Sequence, residues 1–496
     1  MKSVKLLLLS LILLAFSIEF AEAKKSEPYQ ADWESLKQYE VPEWYRDCKF
    51  GIYFHWGPYS VPAFKTEWYS LWMYRENHVI SKYHEMVYGG TKKFGYKDFI
   101  PMFKGEKFNA DEWAKLFKDA GAQFAGPCAE HADGFAMWDS KVAEWNAKNM
   151  GPERDVVGEM QRAVKKQGMK YMVSFHRHWL YAWYPTYDKS VDAGDPKYSG
   201  LYGPYAPEGS FVMGQRGFNA ELMAPDSFGK DWLDRLHELM YDYDPDIIWF
   251  DNRMNLIDEK YRKQFLTDYY NKGIERGKEV VCTYKFNDLV EGTAVLDLER
   301  ARMSELKEFT WLTDDSVDWG AWCNVSTPRY KDTNRLLDFL IDVVSKNGAV
   351  LLNVTPTANG VIPFEVEKRL REMGAWLKLN GEAIYDTRPW VIYGEGPQKI
   401  KEGHLSEHKN ADATAEDIRF TVNGKQLYAT ILDWADSGKV VIRSLSTKEK
   451  HLTEPVTKVS MIGSKEKLRW EQTAEGLVVY LPNEKPCDHA FVLKIN

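Results

Sequence analysis

The chain has 496 residues, with 65 Lys and Arg against 73 Asp and Glu and a net charge of -8; its pI is near 5.9. That balance leaves no basic footprint for nucleic acid or an anionic membrane, because phosphate binding needs clustered Lys and Arg. The five cysteines, Cys48, Cys128, Cys282, Cys323 and Cys487, are scattered without a CxxC pair, which argues against a disulfide framework and a zinc site.

Residues 1–23 read as a secretory signal peptide: Lys2 and Lys5, an apolar run from Leu6 to Ile18, then Ala21-Glu22-Ala23 as a cleavage pattern. A secreted or periplasmic protein is expected. The run is shorter than the roughly 18 residues a membrane span needs, and no later segment is long and apolar enough to cross a bilayer. About 470 residues then remain, too many for one small core.

From Lys49 onward, short apolar runs alternate with helical patterns. Strands are expected at Phe50–Phe54, Gln123–Cys128, Lys170–Phe175, Asp246–Phe250, Glu279–Tyr284, Ala294–Leu298 and Ala349–Val354, with a weak one at Thr310–Leu312. In 228–243, Phe228, Trp232, Leu236, Leu239, Met240 and Tyr243 share one helix face. About eight such units predict an α/β fold, a (β/α)8 barrel over 30–390, with a doubly wound open sheet as the alternative. The irregular stretch 184–227, rich in Tyr, Pro, Gly and Asp, is expected over the barrel mouth. After Trp390 the texture changes to short alternating runs separated by Asn-Gly and Ser-Gly, predicting a small C-terminal all-β sandwich over 395–496.

In such a barrel the C-terminal strand ends line the active site. Those ends carry His55 and Trp56, Glu130 and His131, His176 and His178, Asp251, Lys285, then Asp297 and Glu299. Asp251 and Glu299 each close an apolar strand. Two carboxylates flanking one bond are what glycoside cleavage uses, one as nucleophile and the other as acid and then base. The acid needs a raised pKa, which burial among Trp311, Trp319 and Trp322 would supply. Structural roles compete: Asp251 as a cap of the following helix, and Glu299 as an ion-pair partner of Arg300 or Arg302. His55 and His131 read as core histidines or as site groups. A metal is not signalled, since only His176-Arg177-His178 pairs imidazoles and an extended chain sends those to opposite faces. Glu67-Trp68 joins an acceptor to a flat ring, suited to a sugar's hydroxyl and apolar face, or to a loop Trp anchored in the core. The 14% aromatic content, with 19 Trp, leaves rings to spare for sugar stacking.

The segments "KFGIYFHWGPYSVPAFKTEWYS", "EHADGFAMWDS", "PDIIWFDN", "LDLERARMSELKEFTWLTDDS", "LLDFLIDVVSKNGAVLLNVTPTANGVIP" and "WLKLNGEAIYDTRPW" resemble, in order, the α-L-fucosidases of glycoside hydrolase family 29. The resemblance implies a retaining exo-hydrolase of terminal α-L-fucose, acting on a fucosylated oligosaccharide or polysaccharide with no cofactor or metal. It implies Asp251 as nucleophile and Glu299 as acid/base, with Asp297, Glu308 and Asp314 as alternatives. His55, Glu67, Trp68 and His131 match residues that hold the fucose hydroxyls, and Trp322 falls where an aromatic faces the sugar's methyl group. Two departures stand out. Many relatives carry His-His before Asp-Gly-Phe where this chain has His131-Ala132, which removes a hydroxyl donor and is expected to open space for a substituted fucose. In "SFHRHWLYAWYP", His176 replaces a Tyr-Ser type strand end and is a further candidate binding residue. A glycosidase for another L-sugar, such as α-L-galactose, and a carbohydrate-binding barrel without catalysis are the other readings.

Overall fold

The computed structural model describes residues 27–211 and 223–496, so the expected signal peptide lies outside the described residues. Eight parallel strands close into a barrel in chain order: β1 Phe50–Phe54, β2 Phe124–Glu130, β3 Lys170–Phe175, β4 Ile247–Phe250, β5 Val281–Lys285, β6 Val295–Glu299, β7 Trp311–Ser316 and β8 Gly348–Val354. β8 pairs back onto β1 with Phe50 opposite Val350 and Phe54 opposite Val354. Closure excludes the open doubly wound sheet.

Strands covered on both faces read as continuous apolar runs because neither side meets water. The alternation of side chains then decides which core each residue joins. Ile247 and Trp249 enter the barrel interior with Tyr53, Met172, Val281, Val295, Leu312 and Leu351. Ile248 and Phe250 enter the layer between sheet and helices. The predicted amphipathic segment is the helix Asp226–Glu238 followed by one π-helical turn, Leu239–Tyr243. All six of its periodic apolar residues are buried. Asp244, with φ +47, ends it, and Pro245 and Asp246 lead into β4.

β7 is the strand expected only weakly, yet all six of its residues are buried. Its second half, Thr313 to Ser316, is polar and looks like a loop in sequence. The fold supplies the partners that make burial tolerable: the single Thr313 hydroxyl proton has the Leu298 and Ala301 carbonyl oxygens as acceptors, each 2.7 Å away, and Lys331 Nζ reaches Asp315 Oδ1 at 2.6 Å.

The C-terminal part is an all-β sandwich. One antiparallel sheet runs β13-β16-β11-β10-β9 and the other β12-β15-β14, from β9 Arg388–Glu395, β10 Ile418–Asn423, β11 Gln426–Ile431, β12 Lys439–Ile442, β13 Val459–Met461, β14 Trp470–Gln472, β15 Leu477–Tyr480 and β16 Phe491–Ile495. Phe420, Ile431, Leu493, Ile442 and Val479 from the two sheets share one core. The sandwich docks on the barrel helix Thr333–Ser345, where Arg419 Nε meets Asp342 Oδ1 at 2.5 Å in a buried cluster with Arg302 and Lys346. Of the irregular stretch 184–227, residues 212–222 lie outside the described residues. Met223 lines the barrel cavity, and Trp183, just before the stretch, packs on Trp68 at 4.9 Å, which places the flanks at the mouth.

Candidate active site

The inward alternation of the strands carries past their apolar parts. Tyr53 leads to His55, Met172 to His176, Trp249 to Asp251, Val281 to Lys285, Val295 to Asp297 and Glu299, Leu312 to Asp314, and Leu351 to Asn353, each an even number of residues on. These side chains therefore meet at the C-terminal mouth, around a cavity of about 1070 Å³. β2 breaks the rule. Its register against β3 shifts between Cys128 and Glu130, a bulge that reverses the faces beyond it. Glu130 is turned into the helix layer, where Arg177 and Arg235 bind it at 2.6 and 3.1 Å, and His131 takes the inward position and lines the cavity.

Lys285 is the centre of the arrangement. Its ammonium lies 3.4 Å from Asp251 Oδ1, 3.1 Å from Glu299 Oε2, 3.0 Å from Asp314 Oδ1 and 3.7 Å from Asp297 Oδ2. One buried cation thus faces carboxyls from β6, β7 and the end of β4. Burial raises the carboxyl pKa of Asp251, but Lys285 and His176 outweigh it and hold it well below the usual carboxylate range. Burial pushes Asp314 well above that range, with Asp297 and Glu299 adding to it, and raises Asp297 as well. Burial thus favours the protonated forms of Asp314 and Asp297 inside the barrel. There Tyr53 donates to Asp314 (2.9 Å) and Trp249 Nε1 to Asp297 (3.0 Å). Glu299, Asp251 and Asp314 line the cavity and Asp297 does not.

The competing structural roles fall away. The helix after β4, Glu259–Glu275, is capped by Asp258 and not by Asp251. Arg300 donates to the carbonyls of Asp318, Trp319 and Ala321, and Arg302 pairs with Glu407, so neither neutralises Glu299. Among the alternatives to Glu299, Glu308 is exposed and outside the cavity wall and Asp297 does not line it, whereas Asp314 does line it but is 1% exposed and takes the Tyr53 hydrogen bond. Of the three tryptophans expected around the acid, Trp319 and Trp322 line the cavity. Trp311 does not: its parity turns it into the helix layer, where Nε1 donates to Lys346 O at 2.9 Å.

His55, His131 and His176 converge, with ring centroids 4.6 to 5.3 Å apart. Asn353 fixes the first. Its amide nitrogen donates to Ser316 Oγ and Trp322 O, so its oxygen faces His55 Nδ1 at 2.8 Å and leaves His55 Nε2 as an acceptor. Burial, aided by His176, pushes His55 down to about 3 and His131 well below the ordinary value. His55 and His131 are thus neutral hydrogen-bonding groups. His176 Nδ1 lies 3.7 Å from Asp251 Oδ2. The three also present ligand atoms within 4.8 Å of one another, a spacing a cation can use. His178 instead bonds Asn252 O at 2.8 Å and braces the loop after β4. Glu67 accepts from Trp322 N–H at 3.0 Å, linking the loops after β1 and β7. Trp68 stands in the wall against Trp179 at 5.1 Å. Trp322 carries the Arg300 guanidinium on its ring at 4.4 Å. Ala132 is 2% exposed, packed in the main core and outside the cavity wall. It opens no space at the site, because the bulge turns its neighbour His131 inward and its own side chain away.

An α-L-fucosidase family model matches residues 16–382, and an α-L-fucosidase C-terminal domain model matches residues 410–496. The chain belongs to the α-L-fucosidase family. It is similar to the tissue α-L-fucosidase of Rattus norvegicus, 30% identical over 98% of this chain and 96% of that protein. The tissue α-L-fucosidase of Bos taurus is 31% identical over 92% and 88%. A Thermotoga maritima α-fucosidase solved in complex with fucose matches with a TM-score of 0.71 at 26% identity, over 94% of this chain and all of that one. As a member of the α-L-fucosidase family, the protein is a glycoside hydrolase, and every strand of its barrel lies within the span the first family model matches.

Proposed function

We propose that the protein is an exo-acting, retaining α-L-fucosidase that removes terminal α-L-fucose from glycans or polysaccharides by double displacement. The observation that carries this reading is the shared contact with Lys285. Laid end to end, the 3.4 and 3.1 Å contacts cap the gap between Asp251 Oδ1 and Glu299 Oε2 at about 6.5 Å, compatible with the roughly 5–5.5 Å of retaining enzymes and too short for most inverting ones. Asp251, held ionised, attacks the anomeric carbon while Glu299 gives its proton to the departing oxygen. Glu299 then takes a proton from water, whose oxygen displaces Asp251 and releases fucose in its original configuration. His55, His131, His176 and Glu67 bind the sugar hydroxyls, Trp68 the ring face and Trp322 the methyl group. With the neutral imidazoles of His55 and His131 in its wall, the site suits a hydroxyl-rich sugar.

The test is proton NMR of the first product from an aryl α-L-fucoside. The α-anomer of fucose is expected before mutarotation; the β-anomer would overturn the retaining mechanism, and absence of turnover would overturn the fucosidase reading. A pH profile checks the nucleophile. A carboxylate with a depressed folded pKa keeps its charge until pH falls through that pKa, so kcat/KM is expected to hold as pH drops from 7 to about 5, above the ordinary Asp value of about 3.9. An acid limb centred above pH 5 would contradict Asp251 in this role.

The domain limits follow the sequence reading, 30–390 for the catalytic barrel and 395–496 for the sandwich, with β9 spanning the junction. Residues 1–23 direct export to the periplasm or the medium, supported by their signal-like pattern. No helix among the described residues is long and apolar enough to cross a membrane.

A further inference from the structure

The chain between β9 and β10 leaves the sandwich and returns to the barrel rim. Its main chain is built into that rim: Leu405 N–H donates to Glu299 O at 2.9 Å, and Glu407 N–H donates to Arg300 O at 2.8 Å. Its side chains are tied as firmly. Glu407 takes two hydrogen bonds from Arg302, at 2.9 and 3.2 Å, and pairs with Arg335 at 2.6 Å, all buried. Glu402 accepts from Ser304 N–H and Oγ at 2.5 and 2.7 Å. Arg300 and Leu405, which meet across this join, both have positive φ, +43 and +58, a conformation non-glycine residues hold only where surrounding contacts over-determine it.

The join places His404 in the cavity wall, with Nε2 3.8 Å from Glu299 Oε2 and its ring edge-on to Phe286 at 5.2 Å. Glu299 is thus contacted from the barrel centre by Lys285 and from the rim by His404. The segment lies between the spans matched by the two family models, 16–382 and 410–496.

We propose that His404 is a positioning residue for Glu299, and that the C-terminal region thereby completes the leaving-group side of the active site. This rests on the fucosidase reading with Glu299 as acid/base. A carboxyl hinged on flexible torsions and held by Lys285 alone has several orientations available, and proton transfer to a glycosidic oxygen needs one of them. A second contact at the rim selects the orientation toward the departing group. Since backbone bonds and Glu407 anchor the loop, the imidazole is not required to hold it in place.

The experiment compares His404→Ala and His404→Gln with the unaltered full chain on α-L-fucosides of graded leaving-group ability. These run from 2,4-dinitrophenyl, which departs without a proton, through phenyl to a fucosyl disaccharide. His404→Ala is expected to lower kcat/KM roughly ten- to hundredfold on the phenyl fucoside and disaccharide but less than about threefold on the dinitrophenyl substrate, because only the former need general acid catalysis. His404→Gln, which keeps a hydrogen-bonding group, is expected to recover part of the loss. Equal losses on all three substrates, or none, would overturn the proposal, and the glutamine variant decides the matter should the alanine variant unfold. Failure of the unaltered chain to turn over any α-L-fucoside would instead overturn the fucosidase reading.

Discussion

Asp251→Asn is expected to lower kcat on an aryl α-L-fucoside by roughly ten-thousandfold or more, the scale seen when a covalent catalyst loses its nucleophile. The amide has the shape of the carboxylate but cannot form the glycosyl ester, so fucose binding should survive while turnover does not. Folding should survive too. Asp251 Oδ1 accepts from Asn252 N–H at 2.7 Å, which an asparagine oxygen can also do, and Lys285 keeps Glu299, Asp297 and Asp314 as partners. A Tm within about 5 °C of the unaltered protein is therefore expected. Turnover within tenfold of normal would remove Asp251 from the mechanism.

Lys285→Met is the second large effect, and it acts on stability and activity together. The substitution keeps the side-chain volume and removes the ammonium that lies within 4 Å of four carboxyl groups, leaving buried negative charge without that partner, a change that costs about 3–5 kcal/mol at neutral pH. The sign of the pH dependence follows from the lost cation. Without it burial, the largest influence on Asp251, Asp297 and Asp314, lifts their folded-state pKa values above the unfolded ones, so the folded state binds protons more tightly and loses stability as pH increases through that range. The drop in Tm is expected to be larger at pH 7 than at pH 5. For the same reason the acid limb of kcat/KM should move upward, because the nucleophile is then protonated at a higher pH. Lys285→Arg keeps the charge and should retain most of the stability. Equal Tm values for Lys285→Met and the unaltered protein at both pH values would show that Lys285 does not organise the site.

Much of this arrangement is legible in the sequence because a parallel barrel strand is a short-range object. Apolar runs such as Ile247 to Phe250 are set by the need to cover both faces, and the first polar residue after such a run arrives at the mouth, as Asp251 and Glu299 do. The weak reading of β7 shows the limit. Thr313 to Ser316 look like a turn until Lys285 and Lys331, from other parts of the chain, are brought to them. Asp297 and Glu299 show the same limit on one strand. They share a face, and only depth separates them: Asp297 sits opposite Lys285 in the pairing with β5, below the cavity wall, and Glu299 is one pleat higher, in it.

The strand-helix units, the C-terminal β texture and the acid at the end of β4 are legible in the residues because periodicity and burial act over a few positions, whereas closure of the strands into a barrel rests on the pairing of β8 with β1. Tertiary structure alone decided that His131 and not Glu130 faces the cavity, because one bulge reverses the alternation. It alone decided that Lys285 gathers four carboxyls and that His404 reaches Glu299. Charges 14 to 34 positions apart in the chain, as at Lys285 and Glu299 or Asp251 and Lys285, interact only once closure has brought their strands within a few ångströms, where Coulomb attraction in a buried setting offsets the cost of removing them from water.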